Sequence, residues 1–134
     1  MLFRSLAAWN GLRESIKSID TESALIKINH WWYTTPWRPY YLHWDDQPTW
    51  PDPWQLLSDD VYCDLARALG ILYTISLLDR ADLTDAELIL TAEGDNLVQV
   101  VQEKYILNWK TDSILNNIPK VKIIRRLKQY QVKY

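Results

Sequence analysis

The sequence predicts an α+β domain, with helices packed on one face of a small antiparallel sheet. Three observations predict it. Apolar residues recur at helical spacing up to about residue 79. From residue 86 the pattern changes to short runs of strand-forming residues. The two kinds of element are also segregated along the chain, helices before strands. A length of 134 residues, 48% apolar and 24% charged, suits one domain, residues 1–134, with a single core and a short basic end.

Residues 3–17 and 20–34 read as the first two helices. In the second, Asp20 or Thr21 can cap the N-terminus, and Ala24, Leu25, Ile28, Trp31 and Trp32 form the apolar face. Pro36 disfavours helix at the residue before it and ends this element. Residues 35–57 hold Pro36, Pro39, Pro48, Pro51 and Pro53 and are expected to be an ordered loop pinned by aromatic side chains. Ser58, Asp59 and Asp60 then offer caps for a long helix over residues 60–79. Leu65, Leu69, Leu72, Ile75 and Leu78 supply its buried stripe, and Ala66 and Gly70 permit close approach. Three strands follow at residues 86–92, 96–102 and 104–109, joined by the turns EGDN and QEK as an antiparallel meander. The remaining segment, VKIIRRLKQYQVKY, is expected to be helical.

Composition narrows the function classes. No apolar run approaches the roughly 20 residues of a membrane span. Arg4, Asn10 and Arg13 interrupt the apolar core that a signal peptide would need, so the chain is expected to stay in the cytoplasm of the cell that makes it. The single cysteine, Cys63, excludes an internal disulfide framework and a thiolate zinc cluster. Only Gly11, Gly70 and Gly94 are present, and no glycine-rich phosphate loop can be built from them. Residues 119–134 hold six of the 15 Lys and Arg and none of the 17 acids. Such an end can touch an acidic protein; a solvated amphipathic segment is the plainer reading, and nucleic acid is not expected as a partner.

Candidate chemistry sits in the middle of the chain. Cys63 near a helix N-terminus reads either as a nucleophile or as a small buried residue. Asp45, Asp46, Asp52, Asp59, Asp60 and Asp64 cluster around the loop, where capping and solvation are favoured over metal binding; neither a metal nor a cofactor is expected. His43 reads as a loop histidine bonded to backbone, with a lone ligand or base as the alternative. The stretch HWWYTTPWRPYYLHW packs seven Trp and Tyr and both histidines into 15 residues, more aromatic surface than one small core needs. Trp44, Trp50 and Trp54 are expected to anchor the loop on the domain, leaving Trp37, Arg38, Tyr40 and Tyr41 outward for a partner. Arg125 and Arg126 are the partner-facing candidates of the basic end.

The strings WPDPWQLLSDDVYCDLARALG, DNLVQVV and KYILNW resemble elements of the transglutaminase-like (papain-like) cysteine peptidase superfamily, in its small bacterial branch. That branch carries a Trp- and Pro-containing approach, a Gly-Asp-Cys-Glu-Asp-x-Ala helix start, a His-x-Val strand and a Tyr-x-Leu-Asp strand. The resemblance spans residues 25–116 and implies a transglutaminase-like fold with Cys63 at the nucleophile position. It places the histidine position on Asp95, with Asn96 as the alternative, and the third member on Asn108.

No histidine follows Cys63, and an aspartate beside a thiol opposes its activation. The resemblance therefore implies a fold that has lost its catalytic base. The string from Trp31 to Ile75 also resembles small proteins of tailed bacteriophages, which implies a virion component of the tail, baseplate or neck with other protein subunits as partners. The alternative is an active thiol hydrolase or acyltransferase that uses Cys63 with a base from His43, His30 or a partner chain.

Overall fold

In a computed structural model, described over residues 6–35, 37, 42–58, 62–110 and 113–132, the chain forms an α+β domain. Among the described residues there are four α-helices: α1 (Leu6–Ile16), α2 (Thr21–Tyr33), α3 (Pro53–Leu57) and α4 (Asp64–Leu78). Four strands follow: β1 (Glu87–Thr91), β2 (Asn96–Val100), β3 (Tyr105–Leu107) and β4 (Ile123–Lys128). None of these helices is long and apolar enough to cross a membrane.

Helix α4 is the hub. Twelve of its 15 residues are buried, so it is enclosed on nearly every side and does not present the single stripe its leucines suggested. Helices α2 and α3 pack on one side of it, and β1 and β2 on the other. The helix starts at Asp64, four residues later than expected, because Tyr62 is extended and forms a parallel bridge with Trp37. The Tyr62 ring is buried and its hydroxyl donates to Leu56 O at 2.8 Å, which holds that extended residue in place. Asp59 and Asp60, read as caps, lie outside the described residues.

A single hydroxyl on α4 bonds to both of the first two helices. Thr74 Oγ1 accepts the indole N–H of Trp9 at 2.8 Å and of Trp32 at 2.9 Å, and donates to Gly70 O at 2.7 Å. The Trp32 ring lies against Gly70, where the helix has no side chain. Asp20 caps α2 by accepting the Ser23 amide.

The aromatic loop carries more regular structure than its prolines implied. A 3₁₀ turn occupies Gln47–Thr49, and α3 begins with a capping box in which Asp52 accepts the Gln55 amide and Gln55 accepts the Asp52 amide. Pro53 at the first helical position fits this start, since its missing N–H would have had no helical partner.

All strand pairs are antiparallel, in the order β3-β2-β1-β4. The basic segment expected as a helix is instead an edge strand, β4, paired along the whole of β1. Its residues Ile123 to Leu127 suit either state locally, and pairing with β1 decides between them. Leu88, Leu90, Val98, Val100, Leu107 and Leu127 face the helices. Ile89, Leu97 and Ile106 face the other way and are covered by the connection from β3 to β4, chiefly Trp109, Leu115 and Ile118. That connection is stitched to β3 by reciprocal bonds between Ile106 and Leu115, at 2.8 and 2.9 Å. Around β2 both faces of the sheet are therefore dry, which is why that strand is buried at every position and shows no alternation, whereas β4 at the edge stays mostly exposed.

Candidate functional site

The N-terminus of α4 meets the start of β2 and the end of β3. Cys63 is the N-cap of α4 and is 4% exposed. Its Sγ accepts the amides of Ala66 and Leu42, each at 3.4 Å. The thiol is thus tied to the backbone of both the helix and the aromatic loop, a cap and a clamp at once.

The next residue makes the stronger polar contacts. The Asp64 carboxylate accepts the Asn96 amide at 2.5 Å and the Asn108 side-chain amide at 3.3 Å. Asn108 Nδ2 also donates to Asn96 O at 2.7 Å and Asp64 O at 3.2 Å. The Asn108 backbone is left-handed, with φ of 70°, a conformation asparagine tolerates better than most residues. Its amide donates to Asn29 Oδ1 at 2.6 Å, and Asn29 Nδ2 donates to Lys110 O at 2.5 Å. The three positions assigned from the resemblance, Cys63, Asp95 or Asn96, and Asn108, therefore lie in one neighbourhood. Asn96, the alternative, is the one that joins Asp64 and Asn108. Asp95 sits in the turn before it, facing the cleft.

Burial pushes the Asp64 carboxyl up to about 6, with Asp95 adding to the rise and the Asn96 amide opposing it. Asp95 is itself raised, by burial first and Glu93 second. The folded state therefore holds the Asp64 proton more tightly than the unfolded chain does. Its contribution to stability is full below about pH 4, declines as pH rises to about 6, and is absent above that. The span corresponds to about 3 kcal/mol at 1.36 kcal/mol per pKa unit. We expect Asp64→Asn to remove this decline and to raise stability at pH 8 by about 2 kcal/mol, read from urea midpoints between pH 4 and pH 8. The difference between the two curves reports Asp64 together with its charge coupling to Asp95. Asp20 and Asp82, held below the usual carboxylate range by the Ser23 amide and the Arg80 guanidinium, titrate alike in both proteins.

A cleft of about 950 Å³ opens at this junction. Cys63, Asp64 and Arg67 contribute from α4, Trp37, His43 and Trp44 from the aromatic segment, and the β1–β2 turn closes the opposite side. His43 Nδ1 accepts the Asp45 amide at 3.2 Å, and its ring stacks on Trp44 at 5.8 Å. In a neutral imidazole that bond puts the proton on Nε2, leaving no free lone pair for a base. His30 is exposed in the last turn of α2 and is not among the described residues that line the cleft.

The aromatic assignments divide differently from expectation. Trp50 is buried and its indole donates to His43 O at 2.9 Å, an anchor as expected. Trp44 and Trp54 are 43% and 54% exposed, and neither is a buried anchor; Trp54 meets Trp9 edge-on at 5.7 Å. Proline spacing restricts the loop but does not say which rings turn inward. Trp37 is 56% exposed. Arg38, Tyr40 and Tyr41 lie outside the described residues.

Arg125 and Arg126 are far less free than a basic tail implies. Arg125 donates to Gln47 Oε1 at 3.0 Å, and Arg126 pairs with Glu87 and Gln99, each at 2.9 Å. Sequence reasoning missed Arg67, which is buried and donates to Thr35 Oγ1 and Thr35 O. Its signal was present, a lone cation inside an apolar helical run.

The fold and this junction define an α+β domain with a cleft at a helix N-terminus, walled by aromatics and carboxylates. Compared with protein-family models, curated proteins and solved structures, the chain matches none of them.

Proposed function

We propose that the protein is a catalytically inactive transglutaminase-like domain that serves as a protein-docking component of a tailed-phage particle, in the tail, baseplate or neck. The observation that carries the docking part is the pair Trp37 and Trp44, large rings left 56% and 43% exposed beside a cleft. Exposed tryptophans are costly to leave in water and are enriched among the residues that dominate protein interfaces. The inactive part is supported by the surroundings of the Cys63 sulfur, which accepts the backbone amides of Ala66 and Leu42, donors that cannot take its proton. The placement in a phage particle rests on the sequence resemblance alone.

The thiol-enzyme alternative draws on one observation, that His43 lines the same cleft as Cys63. The Asp45 amide at Nδ1 weighs against it. One comparison separates the two readings. In particles sedimented from producing cells, Trp37→Ala is expected to lower incorporation about 30-fold, the equivalent of about 2 kcal/mol. Cys63→Ala is expected to leave incorporation and function intact and to cost about 1 kcal/mol of stability or less. Loss of function on Cys63→Ala, or thiol labelling of Cys63 that disappears with His43→Ala, would establish the enzyme instead. Undiminished incorporation of Trp37→Ala, or an unfolded Trp37→Ala monomer, would remove the docking reading.

A further inference from the structure

Three exposed large apolar side chains, Trp37, Trp44 and Ile124, gather at this one cleft. Facing them are Glu93 and Asp95 in the β1–β2 turn, with Asp64 beside Cys63. Among the described residues none of these three carboxylates is in an ion pair. Glu93 meets the Lys122 backbone amide, at 3.2 and 3.4 Å, and Asp64 meets the amides of Asn96 and Asn108. These are neutral donors, and they leave the charge standing.

The one Lys or Arg among the described lining residues, Arg67, partly offsets the charge of Asp64 but spends its hydrogen bonds elsewhere. Its Nε donates to Thr35 Oγ1 at 3.0 Å and its Nη2 to Thr35 O at 2.5 Å, with Cζ 5.1 Å from the Tyr33 ring centroid. Over the described residues the cleft thus presents exposed apolar rings beside a net negative wall. A ligand that complements both needs a positive head on an apolar stem, with apolar neighbours on either side. Lys and Arg side chains have that build, and their heads gain further from a tryptophan face. A volume of about 950 Å³ is at the upper end for small-ligand pockets and has room for several residues of an extended chain.

We propose that the cleft binds an extended segment of a partner protein through a Lys or Arg side chain, its head toward Glu93 and Asp95 and its flanks on Trp37, Trp44 and Ile124. This rests on the docking reading above and names the partner's chemistry. It also excludes acidic segments and phosphate backbones, which the carboxylates repel.

The test uses the full chain and capped pentapeptides Ala-Leu-X-Leu-Ala, with X as Lys, Arg, norleucine or Glu, followed by NMR shifts of the backbone amides and tryptophan indoles. The Lys or Arg peptide is expected to bind about tenfold tighter than the norleucine peptide, with shifts centred on Trp37, Trp44 and residues 93–96. The combined Glu93→Gln and Asp95→Asn variant should bring the cationic peptides down to the norleucine level and leave that peptide unchanged. Equal affinity for Lys and norleucine, no binding of either cationic peptide at millimolar concentration, or a charge preference that survives the double variant would each overturn the proposal. Trp37→Ala keeps the two ideas apart. Loss of Trp37 from a docking surface lowers affinity for every peptide, the uncharged one included, whereas the charge variant acts on the cationic ones only.

Discussion

Replacing Thr74 by valine is expected to cost about 4 kcal/mol of stability, a large share of the roughly 5–15 kcal/mol that holds a domain together. The shape barely changes, so the effect is almost purely one of hydrogen bonding. A hydroxyl offers one donor and two acceptor sites, and here all three are used. The hydrogen goes to Gly70 O, and the two lone pairs take the indoles of Trp9 and Trp32. Both rings are essentially fully buried, at 0% and 1% exposed, so neither N–H can turn to water when the oxygen is removed. Each stranded donor costs about 1–3 kcal/mol. Thr74→Ser is the control: it keeps the oxygen and should cost about 1 kcal/mol, the loss of one buried methyl. Urea denaturation of the two variants checks the contrast, and equal costs would show that the methyl matters more than the hydroxyl.

Gly70→Ala should be comparably damaging, by about 3 kcal/mol, although alanine is the better helix former by about 1 kcal/mol. A methyl at this position would lie within 2.6 Å of three carbons of the Trp32 ring. That ring has nowhere to go. Its nitrogen is held by Thr74, and its faces and edges meet Trp9, Trp31 and Tyr62 with centroids 6.4, 5.0 and 5.9 Å away. Pairing Gly70→Ala with Trp32→Leu should recover part of the loss, because the smaller side chain vacates the space. Thermal unfolding of both singles and the double gives the coupling, and strict additivity would mean the clash is relieved some other way.

These effects locate what was legible in the sequence. The helix-to-strand switch was readable because it depends on local periodicity, and so was Cys63 at the start of the long helix. Gly70 was readable as a point of close approach, but not that a tryptophan would fill it. The capping box of Asp52 and Gln55 was also present in the sequence, obscured by the prolines around it. What local pattern cannot supply is a partner distant in the chain. Ile123 to Lys128 became a strand through pairing with β1. The polar junction of Asn29, Asp64, Asn96 and Asn108 joins residues up to 79 apart, and depends on a left-handed backbone at Asn108 that its identity permits but does not dictate.

The placement of β4 bears on how the chain is made. Strand β1 finds β2 almost at once, across a four-residue turn, but its other edge waits for residues 123–128. During synthesis the first three strands can form a meander whose β1 edge, with Leu88, Ile89 and Leu90, stays open to any passing strand. Docking of β4 ends that exposure and replaces an apolar edge with one carrying Arg125, Arg126 and Lys128, charges that discourage further strand addition. The basic segment thereby acts as a gatekeeper: until β4 docks, the β1 edge is open to other strands, and once it docks the edge that remains carries like charges.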